Sequence, residues 1–202
     1  MLGLGFKKLE EKSSLWVLSR LYVEVREWPA WQEQIRVLTW PRGTEGLSAV
    51  RDFHVFNERA EQIIAGSSRW LIIGMENRKP QRIDFIREMI GPVNEKAATE
   101  TEPGKLILPD HMENISRHVC HLSEIDYNGH VNTSCYLTWM INTIPEDHYK
   151  NRNIRAFQLN FLSETKLNEV VNIMSGPDRE CFSATAADGG KELFRGRIWW
   201  NQ

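Results

Sequence analysis

The residue types most capable of chemistry in this sequence lie close together in the segment EIDYNGHVN, residues 124–132. Asp126, Asn128 and His130 alternate within it, and its Asn-Gly pair is typical of a tight turn. The segment precedes a stretch predicted to be helical, and the first turn of a helix has free N–H groups. A carboxylate, an amide and an imidazole would then surround a substrate carbonyl whose developing charge those N–H groups could stabilise.

A simpler interpretation of the same segment stays open. Asp and Asn frequently cap helices through their side-chain oxygens, and His130 would then only pack beside the cap. Glu164 adds a second carboxylate, because it ends a predicted strand that follows the helix and could return to the turn. Considered alone, an acidic residue at a strand end is usually solvated surface, so the interest of Glu164 depends on the turn.

The elements around this turn are a helix and a series of strands. Apolar residues within 131–144 predict a mostly buried helix that Pro145 closes. A short strand is predicted before the turn, at residues 116–122. The strands predicted after the helix are residues 154–163, 169–174, 180–187 and 193–200. The last two are joined by Asp-Gly-Gly, which is typical of a hairpin.

The first half of the chain has a similar order of elements. Its predicted strands are residues 15–28, 34–40, 47–56 and 62–74, and the sequences PRGTEG and NERA predict turns between them. The pattern Gly-x-x-x-Trp, beginning at Gly66 and again at Gly196, suggests a duplicated unit. We therefore predict an α+β fold with two modules, residues 1–90 and 111–202, joined by an exposed linker at 91–110.

Composition argues against several classes of protein. The 25 basic and 27 acidic side chains nearly cancel, unlike those of a dedicated nucleic-acid binder. No apolar run is long enough for a membrane span, and the N-terminus lacks the apolar core of a signal peptide. The three cysteines form no CxxC pair, so we expect no disulfide framework and a cytoplasmic location.

His118, Cys120 and His121 are residues of the types that bind metals. Neighbouring side chains on a strand point to opposite faces, and no fourth ligand is evident from the sequence. We therefore expect no metal and no other cofactor.

Both halves resemble the acyl-ACP thioesterase family, whose members consist of tandem hot-dog modules. WVLSRLYVEV, TWPRG and VRDF, within residues 16–56, are similar to the first module, and DYNGHVN, residues 126–132, is similar to the catalytic turn of the second. The resemblance implies catalytic positions at Asp126, Asn128, His130 and Glu164. It also implies that the first module lacks its opening strand and most of its helix. We therefore expect a chain that is poorly soluble alone or covered by a second chain, as in a homodimer.

The resemblance implies hydrolysis of the thioester of fatty acyl-ACP, with Glu164 and Asp126 activating water or attacking the carbonyl. Which carboxylate is the base and which the nucleophile stays open. Position 165 is Thr where plant members carry a Cys once proposed as nucleophile, which points away from a cysteine mechanism. The alternatives are hydrolysis of acyl-CoA and non-catalytic binding of acyl groups.

The implied substrate suggests two further groups of residues. An apolar tunnel for the acyl chain would be lined by the first module, although packing in the core is the more common role of such side chains. The tunnel candidates are Trp16, Leu18, Phe53 and Trp70. An acidic carrier protein would dock on a basic patch. The candidate patches are Arg78, Lys79 and Arg82 in one cluster and Lys150, Arg152 and Arg155 in another.

Overall fold

The computed structural model of the protein describes residues 9, 11, 13–82 and 93–201. The chain divides into two units, Met1–Pro103 and Gly104–Gln202, and the boundary falls within the stretch 91–110. The expectation that the first module lacks its opening strand and most of its helix concerns residues outside the described part. Among the described residues, no helix is long and apolar enough to cross a bilayer.

The first unit contains four antiparallel strands, and all four were predicted. Their order in the sheet is β2-β3-β4-β1. Their bounds are β1 Ser14–Val25, β2 Arg36–Glu45, β3 Ser48–Phe56 and β4 Gln62–Gly74. Burial alternates along residues 50–53 of β3, with the period of two expected of a strand.

The turn predicted at PRGTEG is wrong in position, because β2 continues through Glu45. Proline has no N–H group to donate to a neighbouring strand and is therefore uncommon inside strands. Because residues 41–46 begin with proline, their sequence is more typical of a turn than of a strand. A bulge between Pro41 and Gly43 accommodates the missing donor in the pairing with β3. The chain reverses only after Glu45, where Gly46 has a φ of 57° that favours glycine.

The second unit contains five antiparallel strands in the order β6-β9-β8-β7-β5. Their bounds are β5 Glu113–Val119, β6 Ile154–Phe161, β7 Val170–Ser175, β8 Cys181–Ala186 and β9 Glu192–Trp200. All five were predicted, although β5 ends earlier because a 3₁₀ turn begins at Leu122. Starting from β1 in the first unit and from β6 in the second, β1-β4-β3-β2 and β6-β9-β8-β7 have the same chain order.

The predicted buried helix is α1, Thr133–Ile141, which lies against the sheet of the second unit. Its residues Tyr136, Trp139 and Met140 are almost completely buried. Gly196 in β9 permits the close contact, since a Cβ at this position would lie 2.3 Å from the sulfur of Met140. Pro145 does not simply end the helical region, because it precedes a second helix, α2, Glu146–Asn151. The sequence EDHYKN of α2 has no apolar periodicity, so the pattern could not reveal it.

The first unit holds part of the stretch 91–110 that was predicted to be an exposed linker, although most of its described residues are exposed. Asp52 is fully buried in β3 and accepts a 2.8 Å hydrogen bond from the amide of Ala98. Arg42 donates two hydrogen bonds, of 2.5 and 2.7 Å, to the carboxylate of Glu102. Thr99 between these contacts is only 5% exposed.

The second unit holds the next residues of the same stretch in a similar way. Gln158 and Asn160 donate side-chain hydrogen bonds of 2.7 and 3.0 Å to the main-chain oxygen of Gly104. Asn160 also accepts from the amide of Leu106, whose carbonyl accepts from Arg195. Polar side chains of the sheets therefore bind the main chain of this stretch, an interaction that its own composition does not reveal.

Arg42→Met should destabilise the protein by about 3 kcal/mol, because it leaves the buried carboxylate of Asp52, 3.6 Å from Arg42, without a nearby cation. The measurement is urea denaturation followed by tryptophan fluorescence. Arg59→Met is the matched control, because Arg59 forms its ion pairs at the exposed surface and should leave the midpoint nearly unchanged. Equal midpoints for the two variants would contradict the assigned role of Arg42.

Candidate active site

The polar segment before α1 folds into a small closed turn. The amide of Asp126 donates to the carbonyl of His130 at 2.8 Å, and the amide of Asn132 donates to the carbonyl of Glu124 at 2.8 Å. Gly129 has a φ of 76°, a conformation that glycine adopts without strain. These main-chain contacts present the side chains at positions 126, 128 and 130 from one rigid turn.

The carboxylate of Asp126 organises the interior of this turn. Its Oδ1 accepts from the amide of Asn128 at 2.8 Å and from the amide of His130 at 3.4 Å. The interpretation of Asp126 and Asn128 as helix caps is wrong, because the N-cap of α1 is Asn132, whose side chain accepts from the amide of Ser134. The side chain of Asn128 is exposed.

The structure brings Glu164 to the turn, although it lies beyond the end of β6. Its Oε2 is 3.3 Å from Nε2 of His130, and the two side chains are 35% and 20% exposed. The cause is a main-chain hydrogen bond of 2.8 Å from Val131 to the carbonyl of Thr165, which joins the residues that follow His130 and Glu164. Lys191 holds the same segment from another side, donating to the carbonyl of Glu164 at 2.7 Å.

Glu124 is a residue of this region that the sequence did not single out. Its carboxylate, 16% exposed, accepts from Trp139 of α1, from the amide of His121 and from the ring of His118 in β5, each at 2.8 Å. Burial raises the pKa of Glu124, but these hydrogen bonds together outweigh it, so the pKa lies below its ordinary value. Glu124 therefore ties the base of the turn to both a strand and the helix. The sequence feature that could have indicated Glu124 is an acidic residue two positions before Asp126, at the start of the polar segment.

The residues whose potential metal-ligand atoms lie together differ from those considered in the sequence, because Glu124 takes the place of His121. Ligand atoms of His118, Cys120 and Glu124 all lie within 4.8 Å of one another. Glu124 joins this group through its hydrogen bond with the ring of His118. The oxygens of Glu124 already accept hydrogen bonds from protein donors. Burial raises the pKa of the Cys120 thiol to about 12, which disfavours the thiolate that a metal requires. The hydrogen bond between His118 and Glu124 therefore gives these residues a structural role.

The four tunnel candidates lie on one face of the sheet in the first unit. Leu18 pairs directly with Trp70, and Trp16 is two residues from Leu18 on the same strand. Phe53 reaches the same face opposite Gly66, where its ring occupies the space that a Cβ would fill. All four side chains are half-buried. Their role in binding an acyl chain stays a prediction.

A cleft of about 670 Å³ in the second unit is lined by none of the predicted site residues. Its polar walls include Arg117, Glu169 and Lys191 together with the β8–β9 hairpin. Positive and negative side chains are mixed there, so the cleft has no single charge preference.

Comparison with protein families gives matches to two domain models of one family. Residues 1–89 match the N-terminal domain of acyl-ACP thioesterases, and residues 109–201 match the C-terminal domain. The chain belongs to the acyl-ACP thioesterase family.

Relatives of this acyl-ACP thioesterase family member include the chloroplastic palmitoyl-acyl carrier protein thioesterase of Gossypium hirsutum. The two are 25% identical over 99% of this chain and 54% of the relative. The chain thus spans about half the length of curated relatives that it matches.

Among solved structures, an acyl-ACP thioesterase from Bacteroides thetaiotaomicron has a TM-score of 0.86 and 25% identity, over 99% of this chain and 82% of the other. The 12:0-ACP thioesterase of Umbellularia californica has a TM-score of 0.82 and 23% identity, over 100% and 79%. The mostly antiparallel fold of the chain is therefore similar to the folds of solved acyl-ACP thioesterases.

Glu124→Gln should lower the melting temperature at neutral pH, and the deficit should shrink as the pH falls. A carboxylate whose pKa is lowered by folding stabilises the protein fully above its unfolded pKa, here 4.5, and loses that contribution as pH falls through the folded value. Thermal unfolding of wild type and variant between about pH 3 and pH 7 measures this window. Glu113→Gln, at the exposed end of β5, is the control. A deficit that stays constant below pH 4.5 would contradict the ionised role of Glu124.

Proposed function

We propose that the protein hydrolyses the thioester of fatty acyl-ACP and releases the free fatty acid. The observation that carries this proposal is the pairing of His130 with Glu164, 3.3 Å apart, beside the turn formed by Asp126 and Asn128. Membership of the acyl-ACP thioesterase family supports it, as do relatives named for palmitoyl, oleoyl and dodecanoyl carriers.

Glu164 is the better candidate for the general base. One oxygen of Asp126 accepts hydrogen bonds from two main-chain amides, which stabilise its charge and commit it to shaping the turn. Glu164 is paired with an imidazole and is more than a third exposed, so a water molecule has access to it. His130 then orients the carboxylate of Glu164 as its ion-pair partner, 3.3 Å away.

The reaction follows from these roles. Glu164 takes a proton from water as the water oxygen attacks the thioester carbon, and main-chain N–H groups stabilise the oxyanion. Collapse of the tetrahedral intermediate breaks the C–S bond, and the leaving thiolate takes the proton from Glu164. The products are a fatty acid and the free thiol of the carrier. The exposed amide of Asn128 is placed to orient the substrate or the water.

Thiol chemistry does not compete with this mechanism. Position 165, next to Glu164, is Thr. Cys120 and Cys181 are buried, and burial raises the pKa of both thiols. The pKa of Cys135 is also raised, again mainly by burial, which keeps the thiol protonated.

The same proposal includes two tandem hot-dog modules, each an antiparallel sheet around a helix, the first lacking its opening strand and most of its helix. The shared chain order of β1-β4-β3-β2 and β6-β9-β8-β7 supports duplication, and α1 lies on its sheet as such a module requires. The acyl chain would contact the face that carries Trp16, Leu18, Phe53 and Trp70. A cytoplasmic location and a homodimer stay predictions.

We place the docking site of the acidic carrier protein at Arg152 and Arg155 in the second unit. Both side chains are exposed, and no carboxylate among the residues that the structure describes pairs with either. Lys150 in the same cluster is already paired with Glu146 at 2.6 Å. Two free guanidinium groups would attract the carrier electrostatically. The cluster of Arg78, Lys79 and Arg82 is the weaker candidate, because two of its members make other contacts.

Glu164→Gln should lower kcat for acyl-ACP hydrolysis by at least about a hundredfold, because it removes the base while keeping the shape of the side chain. Asp126→Asn should also lower kcat, since the turn loses its charged acceptor. The measurement is release of free thiol from a panel of acyl-ACP substrates. Asp147→Asn, an exposed carboxylate in α2, is the matched control and should keep wild-type activity. An inactive wild type that still binds acyl-ACP would favour a non-catalytic acyl-binding protein.

Reversing both charges, in Arg152→Glu/Arg155→Glu, should raise KM for acyl-ACP about tenfold and leave KM for acyl-CoA nearly unchanged. Arg26→Glu/Lys96→Glu makes the same change of net charge at exposed residues of the first unit and serves as control. Steady-state kinetics at low and high salt measure the effect, which should weaken with salt. Faster hydrolysis of acyl-CoA than of acyl-ACP by wild type would identify the chain as an acyl-CoA thioesterase.

A further inference from the structure

Thr165 connects Glu164 to the rest of the site although its side chain is remote from solvent. It is 0% exposed, and its carbonyl accepts the amide hydrogen bond of Val131 at 2.8 Å. That bond joins the residue after His130 to the residue after Glu164. Any displacement of the Thr165 main chain therefore changes the separation of the catalytic pair directly.

A second hydrogen bond fixes Thr165 from its side chain. The hydroxyl of Tyr136 in α1 donates to Oγ1 of Thr165 at 3.0 Å, and both residues are buried. Burial raises the pKa of Tyr136 to about 12, so the phenol keeps the proton that it donates.

The ring of Tyr136 is itself held by three aromatic neighbours. Its centroid lies 4.9 Å from that of Trp139, 5.7 Å from that of Phe161 and 5.3 Å from that of Phe194. Side chains from α1, β6 and β9 thus define where the hydroxyl points. The donor is fixed by the core before any substrate binds.

We propose that Tyr136 and Thr165 are positioning residues that hold the carboxylate of Glu164 against His130. The hydrogen bond between them transmits the position of α1 to the segment that carries Glu164. This inference rests on the proposed function, because it assigns a purpose to the geometry of the His130–Glu164 pair. Displacing a catalytic base by about 1 Å can lower the rate by one or two orders of magnitude. A hydrogen bond that fixes the position of the base therefore has a large effect on activity.

The test is a double-mutant cycle with Tyr136→Phe, Thr165→Val and the combined variant. Each single substitution leaves one buried polar group unpaired and should lower the melting temperature. The combined variant removes both polar groups, so most of the melting temperature should return. The kinetic expectation is different: kcat should fall about tenfold in each single variant and by the same factor in the combined one, with KM nearly unchanged.

Recovery of kcat together with the melting temperature in the combined variant would overturn the proposal, because a merely structural pair predicts that activity follows stability. Crystal structures of wild type and the combined variant give a readout that needs no activity. The separation of His130 Nε2 and Glu164 Oε2, 3.3 Å here, should lengthen beyond about 4 Å. An inactive wild type would refute the proposed function alone, and an unchanged separation would refute the positioning role alone.

Discussion

The hydrogen bond from the amide of Val131 to the carbonyl of Thr165 is the contact on which the arrangement of the site depends. It joins the start of the helical segment to the chain that leaves β6, and so places His130 beside Glu164. Neither side chain is held by its own local structure alone. The amide of Val131 is buried and needs a hydrogen-bond acceptor, and the carbonyl of Thr165 provides it. His130 and Glu164 lie side by side as a consequence of this bond.

The same requirement explains why polar residues occur inside both sheets. Asp52 in the first unit and Asn160 in the second are almost fully buried, and each accepts a hydrogen bond from the main chain of the stretch between the strands. An apolar residue at either position would leave those amides unpaired at a cost of about 1–3 kcal/mol each. Buried polar groups thus define the path of a segment that has few apolar side chains of its own.

The same residues of helix α1 both pack in the core and donate hydrogen bonds near the polar turn. The helix contributes Tyr136, Trp139 and Met140 to the core, and two of these also donate hydrogen bonds to groups around the polar turn before the helix. Tyr and Trp suit this combination because each has a large apolar ring and one polar atom. Packing and positioning are therefore coupled, and the region around α1 has little freedom to rearrange.

Much of the secondary structure could be predicted from the sequence, because a strand or helix is encoded by residues that are near one another along the chain. Strand β4 was predicted with its observed bounds, and the polar turn before α1 was recognised from Asn-Gly and its neighbours. The misplaced turn after β2 has a local cause as well, since Pro41 and Gly43 produce a bulge rather than a reversal. Helix α2 has no periodic apolar residues, so no pattern could indicate it.

The strands, the buried helix and the polar turn that carries Asp126 and His130 could be predicted from the order of the residues. Which side chains meet is a property of the folded chain: Glu164 approaches His130, Glu124 accepts a hydrogen bond from Trp139, and Tyr136 donates one to Thr165. Such contacts depend on strand register and on the rotation of a helix about its axis. Both are set by packing between residues distant in the chain, which local propensities do not contain.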